Sequence, residues 1–327
     1  MPVTVSQLAI APVKGMRLQS TTEVQLGRHG VMGDREFLIV DDDGELLLTG
    51  RNPGLLRIEP SWEPVRNLLA LRFPDGSVVQ DAPGPGTAAV TRMYDGREIP
   101  GRVIAGPLSA ALSGYLGRAV YLFKRAGDHL GNDDRPVTLM SEASLRALAA
   151  QLGGAAPDPR RFRMTITVTG ADPWAEHSWG GQQVSVGDIT LRVLAPVPRC
   201  VVTTRNPESG TTDARILHAL AQLRGKNDIT FGVWCDIIKP GYIQVGDLVM
   251  PPSPVGLGGL TLSLWLLRRR GRRPFRLSAV TVSWPGRSAC STRRGRAADA
   301  CWYARARPGS ARPGWPRRPR RWRRRGG

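Results

Sequence analysis

The sequence predicts a mostly β fold with flanking helices (α+β): two β-barrel-like parts, residues 1–95 and 96–255, and a disordered tail at 256–327. Three observations predict it. Short apolar runs with period-two alternation recur at close spacing between Asp/Gly-type turns. Three segments carry a helical apolar period. Composition also changes abruptly near Val255.

The strand signals come in order. Val3, Val5, Leu8 and Ile10 lead to Pro12, and Thr22 to Leu26 alternates. Glu36 to Val40 ends at Asp41-Asp42-Asp43-Gly44, a turn that predicts a return strand over Glu45 to Thr49. Leu68 to Phe73, Pro74-Asp75-Gly76 and Ser77 to Gln80 repeat that hairpin pattern. Past Ala82 to Gly86, a helix is predicted from Pro107 to Leu116, with Pro in its first turn and Gly117 after it. A second starts at Ser141, whose hydroxyl can cap free amides, and runs through Leu145, Leu148 and Leu152 to Gly153. A third spans about Asp213 to Gly225. Strands are expected at Met164 to Thr169, Gln183 to Val186 turning at Gly187-Asp188 into Ile189 to Leu194, Cys200 to Thr204, and Tyr242 to Val245 turning at Gly246-Asp247 into Leu248 to Met250.

The formal net charge of +19 suggests a nucleic-acid binder until it is located. Residues 256–327 hold 20 Arg against the single acid Asp299, and five of the nine Trp; residues 1–255 are formally neutral. Arg, Pro, Gly, Ala, Ser and Trp without period cannot build a core. Such a tail is an electrostatic arm or a GC-rich gene translated out of frame, and the absence of Lys beside so much Trp favours the latter. No specific nucleic-acid partner is expected. The longest apolar run, around Leu260 to Leu267, is short of a membrane span. Four Cys without a CxxC pair make neither a disulfide framework nor an iron-sulfur cluster, Met1 to Met16 has no signal-peptide pattern, and a cytoplasmic location is expected.

Cys200 stands where the loop Pro196-Val197-Pro198-Arg199 enters an apolar run. A neighbouring guanidinium favours the thiolate, the form that attacks electrophiles or ligates a soft metal, whereas a lone thiol is also a common buried residue. Basic residues recur at turns beside strands: Lys14-Gly15, Asp34-Arg35, Arg51-Asn52 and Arg160-Arg161-Phe162-Arg163. Gathered at one barrel mouth, they suit a phosphate; singly, they are surface charge. Asp172 to Trp179 joins acids, His177 and two Trp in a loop that reads equally as a pocket edge or a packed surface. No GxSxG, Walker A, HExxH or strand-led GxGxxG motif is present, and four scattered His make a His-based zinc site improbable.

The order Ala11-Pro12-Val13-Lys14-Gly15, Gly30 to Phe37 and Thr49-Gly50-Arg51-Asn52-Pro53 resembles the MOSC N-terminal β-barrel domain. Ser141 to Leu145, Arg161-Phe162-Arg163, Glu176-His177-Ser178-Trp179, Val186-Gly187-Asp188, Arg199 to Thr204, Phe231-Gly232 and Gly241 to Asp247 resemble the MOSC domain, so the likeness runs over about Met1 to Pro252. The resemblance implies a molybdenum-cofactor oxidoreductase that reduces N-hydroxylated small molecules, with Cys200 as molybdenum ligand and catalytic residue. It also implies cofactor contacts from Lys14, Arg35 and Arg163, more loosely from Arg51 and Ser141, and from Arg199 beside the thiolate. Where the family often has Arg-Pro-Asn this chain has Arg163-Met164-Thr165, which leaves the Asn contact to Thr165 or to nothing. Clustered Cys of an iron-sulfur domain are absent, so either a separate reductase is the electron donor or the altered reading frame has removed the electron-entry domain, leaving a cofactor binder unable to turn over. The alternatives are a non-catalytic cofactor carrier and a sulfurase-type module; pyridoxal phosphate belongs to the family only through complete sulfurases, and no lysine motif for it is evident.

Overall fold

The computed structural model describes residues 2–127, 131 and 134–252; the tail expected to be disordered, 256–327, lies outside the described residues. The described chain is mostly β with four α-helices. None of these helices is long and apolar enough to cross a membrane.

Seven strands close into a barrel. In spatial order they are Ile166–Thr169, Val137–Ser141, Thr230–Lys239, Ile189–Pro198, Gln183–Val186, Leu248–Met250 and Val3–Ile10, the last pairing back to the first. Only Val137–Ser141 and Ile166–Thr169 run parallel within this ring. A parallel pair needs a crossover connection, and the helix Glu142–Gln151 lies within it. Alternate side chains such as Val5, Leu139, Val168, Leu191 and Val249 fill the barrel. The first strand shifts register between Val5 and Gln7, a bulge that turns Leu8 inward instead of Gln7.

A four-stranded sheet orders Phe37–Asp41, Val120–Arg125, Glu98–Ile104 and Thr87–Arg92, so strands from either side of residue 95 share it. A three-stranded sheet of Glu59–Glu63, Leu68–Arg72 and Val78–Asp81 shares a core with it. There Trp62 stands edge-on to Phe37 at 4.9 Å between centroids, and helix Pro107–Leu116 buries Leu108 and Leu112. Gly117 ends that helix in the left-handed region, as its position predicts.

Two expected strands and one expected hairpin come out differently. Glu45 to Thr49 keeps only a single bridge, Leu46 to Val40, because the chain then turns over Leu48 to Asn52. Gly241–Gln244 and Leu248–Met250 do not pair as a hairpin: the former joins Glu23–Leu26 and the latter the barrel, so Gly246-Asp247 is a corner between sheets. Cys200 to Thr204 is a 3₁₀ turn, Val201–Thr204, with Cys200 at its cap. Thr203 Oγ1 donates to the Cys200 carbonyl (2.9 Å) and Thr204 Oγ1 to that of Val201 (2.6 Å), local bonds that compete with a sheet ladder.

Candidate functional site

Beyond Ile10 the chain turns through Ala11 to Met16 beside Asp34 to Phe37. Lys14 N–H donates to the Phe37 carbonyl (2.8 Å) and Arg35 N–H to that of Ala11 (2.7 Å). Gly15 has φ +90°, and a Cβ there would stand 2.8 Å from Thr49 Oγ1, so only glycine lets this turn meet the Thr49 loop. Arg35 and Arg163 both hold left-handed backbones, φ +46° and +54°, uncommon outside glycine. Their side chains link the two turns: Arg35 Nη2 reaches the Arg163 carbonyl (3.4 Å), and Arg163 Nη1 donates to the Met16 carbonyl (2.7 Å). Lys14, Arg35 and Arg163, distant in sequence, therefore share one locality.

Cys200 is exposed at the start of its turn. The turn rests on the Arg51 loop: Val201 Cγ1 stands 3.5 Å from where a Gly50 Cβ would lie, and Arg205 Nη2 donates to the Gly50 carbonyl (3.1 Å). Arg51 is exposed on that loop. Val202 lines a pocket together with Arg17, Arg160, Arg161, Arg163 and Arg205. Three of these, Arg17, Arg161 and Arg205, carry a buried Nε with no hydrogen-bond partner. Carboxylates already serve part of the cluster: Glu208 takes Arg17 (2.5 Å) and Arg160 (2.6 Å), and Asp213 accepts a two-pronged bond from Arg161 (2.7 and 2.9 Å). That bond lowers the Asp213 carboxyl pKa. Arg205 instead donates to the neutral carbonyls of Gly50 and Gly210, which leave its charge uncompensated. Arg17 and Arg205 escaped the sequence analysis; the available signals were Arg17 three residues after Lys14 and Arg205 closing the Thr203-Thr204 run.

Three expected cofactor contacts are engaged elsewhere. Ser141 is 1% exposed; its Oγ accepts the Ser144 N–H (3.1 Å) and meets Ser144 Oγ (2.8 Å), so its hydroxyl serves as the helix cap. Thr165 is 2% exposed, its N–H donating to Thr138 Oγ1 (3.0 Å) and its hydroxyl facing the same oxygen (3.3 Å). Arg199, half-buried, directs its guanidinium onto the carbonyls of Phe162 and Phe231. Cys235, buried in the barrel, has its thiol pKa pushed far up by burial and is inert.

Among the described residues no three His, Cys, Asp or Glu side chains cluster as a metal-binding group. A metal here would rest on one thiolate and on ligands brought by its own cofactor. Two features suit such a group: the exposed soft sulfur of Cys200, and the guanidinium of Arg205, which meets only neutral carbonyls and could turn to a phosphate.

The MOSC N-terminal beta barrel domain model matches residues 2–92 and the MOSC domain model residues 126–250. The chain is a MOSC protein. Mitochondrial amidoxime-reducing component 1 of Mus musculus is 27% identical to it over 280 residues, covering 75% of this chain and 81% of that protein. Molybdenum cofactor sulfurase of Homo sapiens is 22% identical over 290 residues, 76% of this chain but 32% of that one. Among solved structures, the YUAD protein of Bacillus subtilis overlaps 76% of this chain and 94% of its own at 12% identity, with a TM-score of 0.38, too slight to bear on function.

In this MOSC protein the Asp172 to Trp179 loop is packed. Glu176 is fully buried, taking bonds from Ser144 Oγ (2.8 and 3.1 Å) and the Ser141 N–H (3.4 Å), and burial pushes its pKa up. Both ring nitrogens of His177 are buried without a partner. Burial first, then the Arg224 charge, pushes its pKa from 6.5 down to about 4. Between those values the unfolded state binds a proton that the folded state refuses, so the His177 contribution falls as pH drops from 6.5 to 4. The ring is partly solvated, which limits the loss to roughly 1–2 kcal/mol. Glu176 works in the opposite sense, its contribution falling as pH rises above 4.5. The expected result is therefore a difference: urea unfolding of His177→Gln declines less between pH 6.5 and 4 than that of the wild type. Parallel declines would rule the assignment out.

Proposed function

We propose that this MOSC protein holds a molybdenum cofactor through the Cys200 thiolate and reduces N-hydroxylated small molecules, with electrons from a separate reductase. The observation that carries the reading is the exposed Cys200 thiol on a turn whose Val202 lines a pocket with five arginines, three of them with unpartnered Nε. The matches to amidoxime-reducing components support the substrate class, since those proteins are named for that reduction.

When bound, the cofactor supplies the two-electron chemistry and the acceptor for the substrate oxygen. The chain's residues hold and orient. Cys200 offers a soft ligand on a turn closed by two threonine hydroxyls, so the backbone that carries the sulfur is held. Arg163 and Arg205 face the pocket from two different turns and suit a phosphate bound by two-pronged contacts. Arg35, braced by Asp34, holds the Arg163 backbone in its left-handed turn. Lys14, on the turn beside Arg35, and Arg51, exposed on the loop under the Cys200 turn, are the further cations of this reading.

The match to a cofactor sulfurase favours one second reading, a carrier or sulfur-transfer module in which the same site holds cofactor without turnover. One experiment tests both. The full chain, purified from a cofactor-producing host, is assayed for molybdenum and pterin and then for reduction of an N-hydroxylated amidine with a viologen donor. Metal, pterin and reduction together are the expected result. Metal and pterin without reduction would select the carrier, and a folded protein with neither would overturn both.

A further inference from the structure

We infer that Arg199 is a positioning residue: its guanidinium ties the Cys200 turn to the segment carrying Arg163, and so sets where the thiol stands relative to the anion-binding arginines. The inference rests on the function proposed above for its consequence, but the geometry stands alone. Arg199 directly precedes Cys200, and its own N–H donates to the Ile229 carbonyl (2.9 Å). Nε donates to the Phe231 carbonyl (2.9 Å), Nη1 to that of Phe162 (2.9 Å), and Nη2 both to Phe231 and toward Met164 Sδ (2.7 Å). The guanidinium lies 5.6 Å from the centroid of the Phe162 ring, which stacks on Phe231 at 4.1 Å.

Phe162 and Met164 are the two neighbours of Arg163. One planar fork thus grips both flanks of the residue whose left-handed backbone aims its side chain at Met16, while its own backbone runs straight into Cys200. Close approach is built in: a Cβ at Gly232 would stand 2.5 Å from Met164 Cε and 2.8 Å from the Leu139 carbonyl, so the strand bearing Phe231 admits Met164 only because residue 232 is glycine. An ammonium keeps the charge but cannot reproduce a rigid fork with donors in three directions.

The test uses the full chain with Arg199→Lys, Arg199→Gln and, as a control that loosens the structure away from this clamp, Thr91→Ala, which removes a buried bond to the Gly44 carbonyl in the four-stranded sheet. Iodoacetamide labelling of Cys200, followed by the mass of its peptide, reports on the thiol with or without cofactor, and molybdenum and pterin content reports on the site. The expected result is that Lys and Gln alike change the labelling rate by about fivefold or more and lower cofactor content together, while Thr91→Ala leaves the rate within about twofold. Labelling within about twofold of wild type in both Arg199 variants overturns the inference, as does full cofactor content in Lys but not Gln, which would make Arg199 a direct charge contact. If the wild type carries no pterin, the proposed function fails, while the labelling comparison still decides the role of Arg199. Should the Arg199 variants not fold, hydrogen exchange on the wild type decides: the amides of Arg163 and Thr203 are expected to open together, and independent opening refutes the clamp.

Discussion

Cys200→Ala is expected to abolish molybdenum retention and to lower reduction of an N-hydroxylated substrate by about a thousandfold or more, equivalent to roughly 4 kcal/mol of lost transition-state stabilisation. The thiol is exposed, and the hydrogen bonds of its turn use the Cys200 carbonyl, which alanine retains. Exposed substitutions of this kind move stability by only about 0.5 kcal/mol, so the thermal midpoint should stay within a few degrees. Cys200→Ser is the sharper variant. It keeps size and hydrogen bonding but replaces a soft, readily ionised sulfur by a hard hydroxyl, and should fail nearly as badly. Metal analysis of both variants beside the wild type checks this; a serine variant with full metal and activity would remove Cys200 from the ligand set.

The fold was legible where local chemistry and packing agree. Pro107, Gly117, Ser141 and Gly153 mark two helices because each satisfies or ends a helix terminus by itself. The Gly246-Asp247 corner was not legible, since a turn signal says that the chain reverses without saying which sheet each arm joins. Glu45 to Thr49 failed for a related reason: an apolar run beside a turn becomes a strand only if a ladder partner continues, and the chain leaves after Leu47, whose N–H bonds the Ile39 carbonyl. In the site, Cys200, Lys14, Arg35 and Arg163 could be singled out as residue types beside turns. The nearness of Lys14, Arg35 and Arg163 could not, because it depends on backbone bonds such as Arg35 N–H to Ala11 and on Asp34, whose role has no sequence pattern. Arg199 shows the limit from the other side. Its place next to Cys200 suggests a charge acting on the thiol, and only the carbonyls of Phe162 and Phe231 reveal a brace.

Asp34→Ala should be the most destabilising single change near the site, by about 3–5 kcal/mol, because it leaves a buried charge partner and a buried donor unpaired at once. Asp34 is 6% exposed; Oδ1 accepts the Ala11 N–H at 2.7 Å and Oδ2 pairs with Arg35 Nη1 at 2.5 Å. Neither partner has an easy substitute, since Ala11 is fully buried and the Arg35 side chain is largely so. Arg35 also holds a left-handed backbone, braced by its own N–H on Ala11 and by Arg125 Nε on its carbonyl (3.2 Å). Loss of the carboxylate frees the guanidinium from the direction in which it meets the Arg163 carbonyl, so the Arg163 turn should loosen along with the fold. Asp34→Asn separates the two roles: its side-chain oxygen can still accept from Ala11 while the ionic partner of Arg35 is gone, which places it between wild type and alanine at about 1–3 kcal/mol. Urea unfolding should therefore rank wild type above Asn and Asn above Ala, with cofactor content falling in the same order. If Asp34→Ala lies within about 1 kcal/mol of wild type, the pair contributes little net stability, and the left-handed turn at Arg35 is held by its backbone bonds alone.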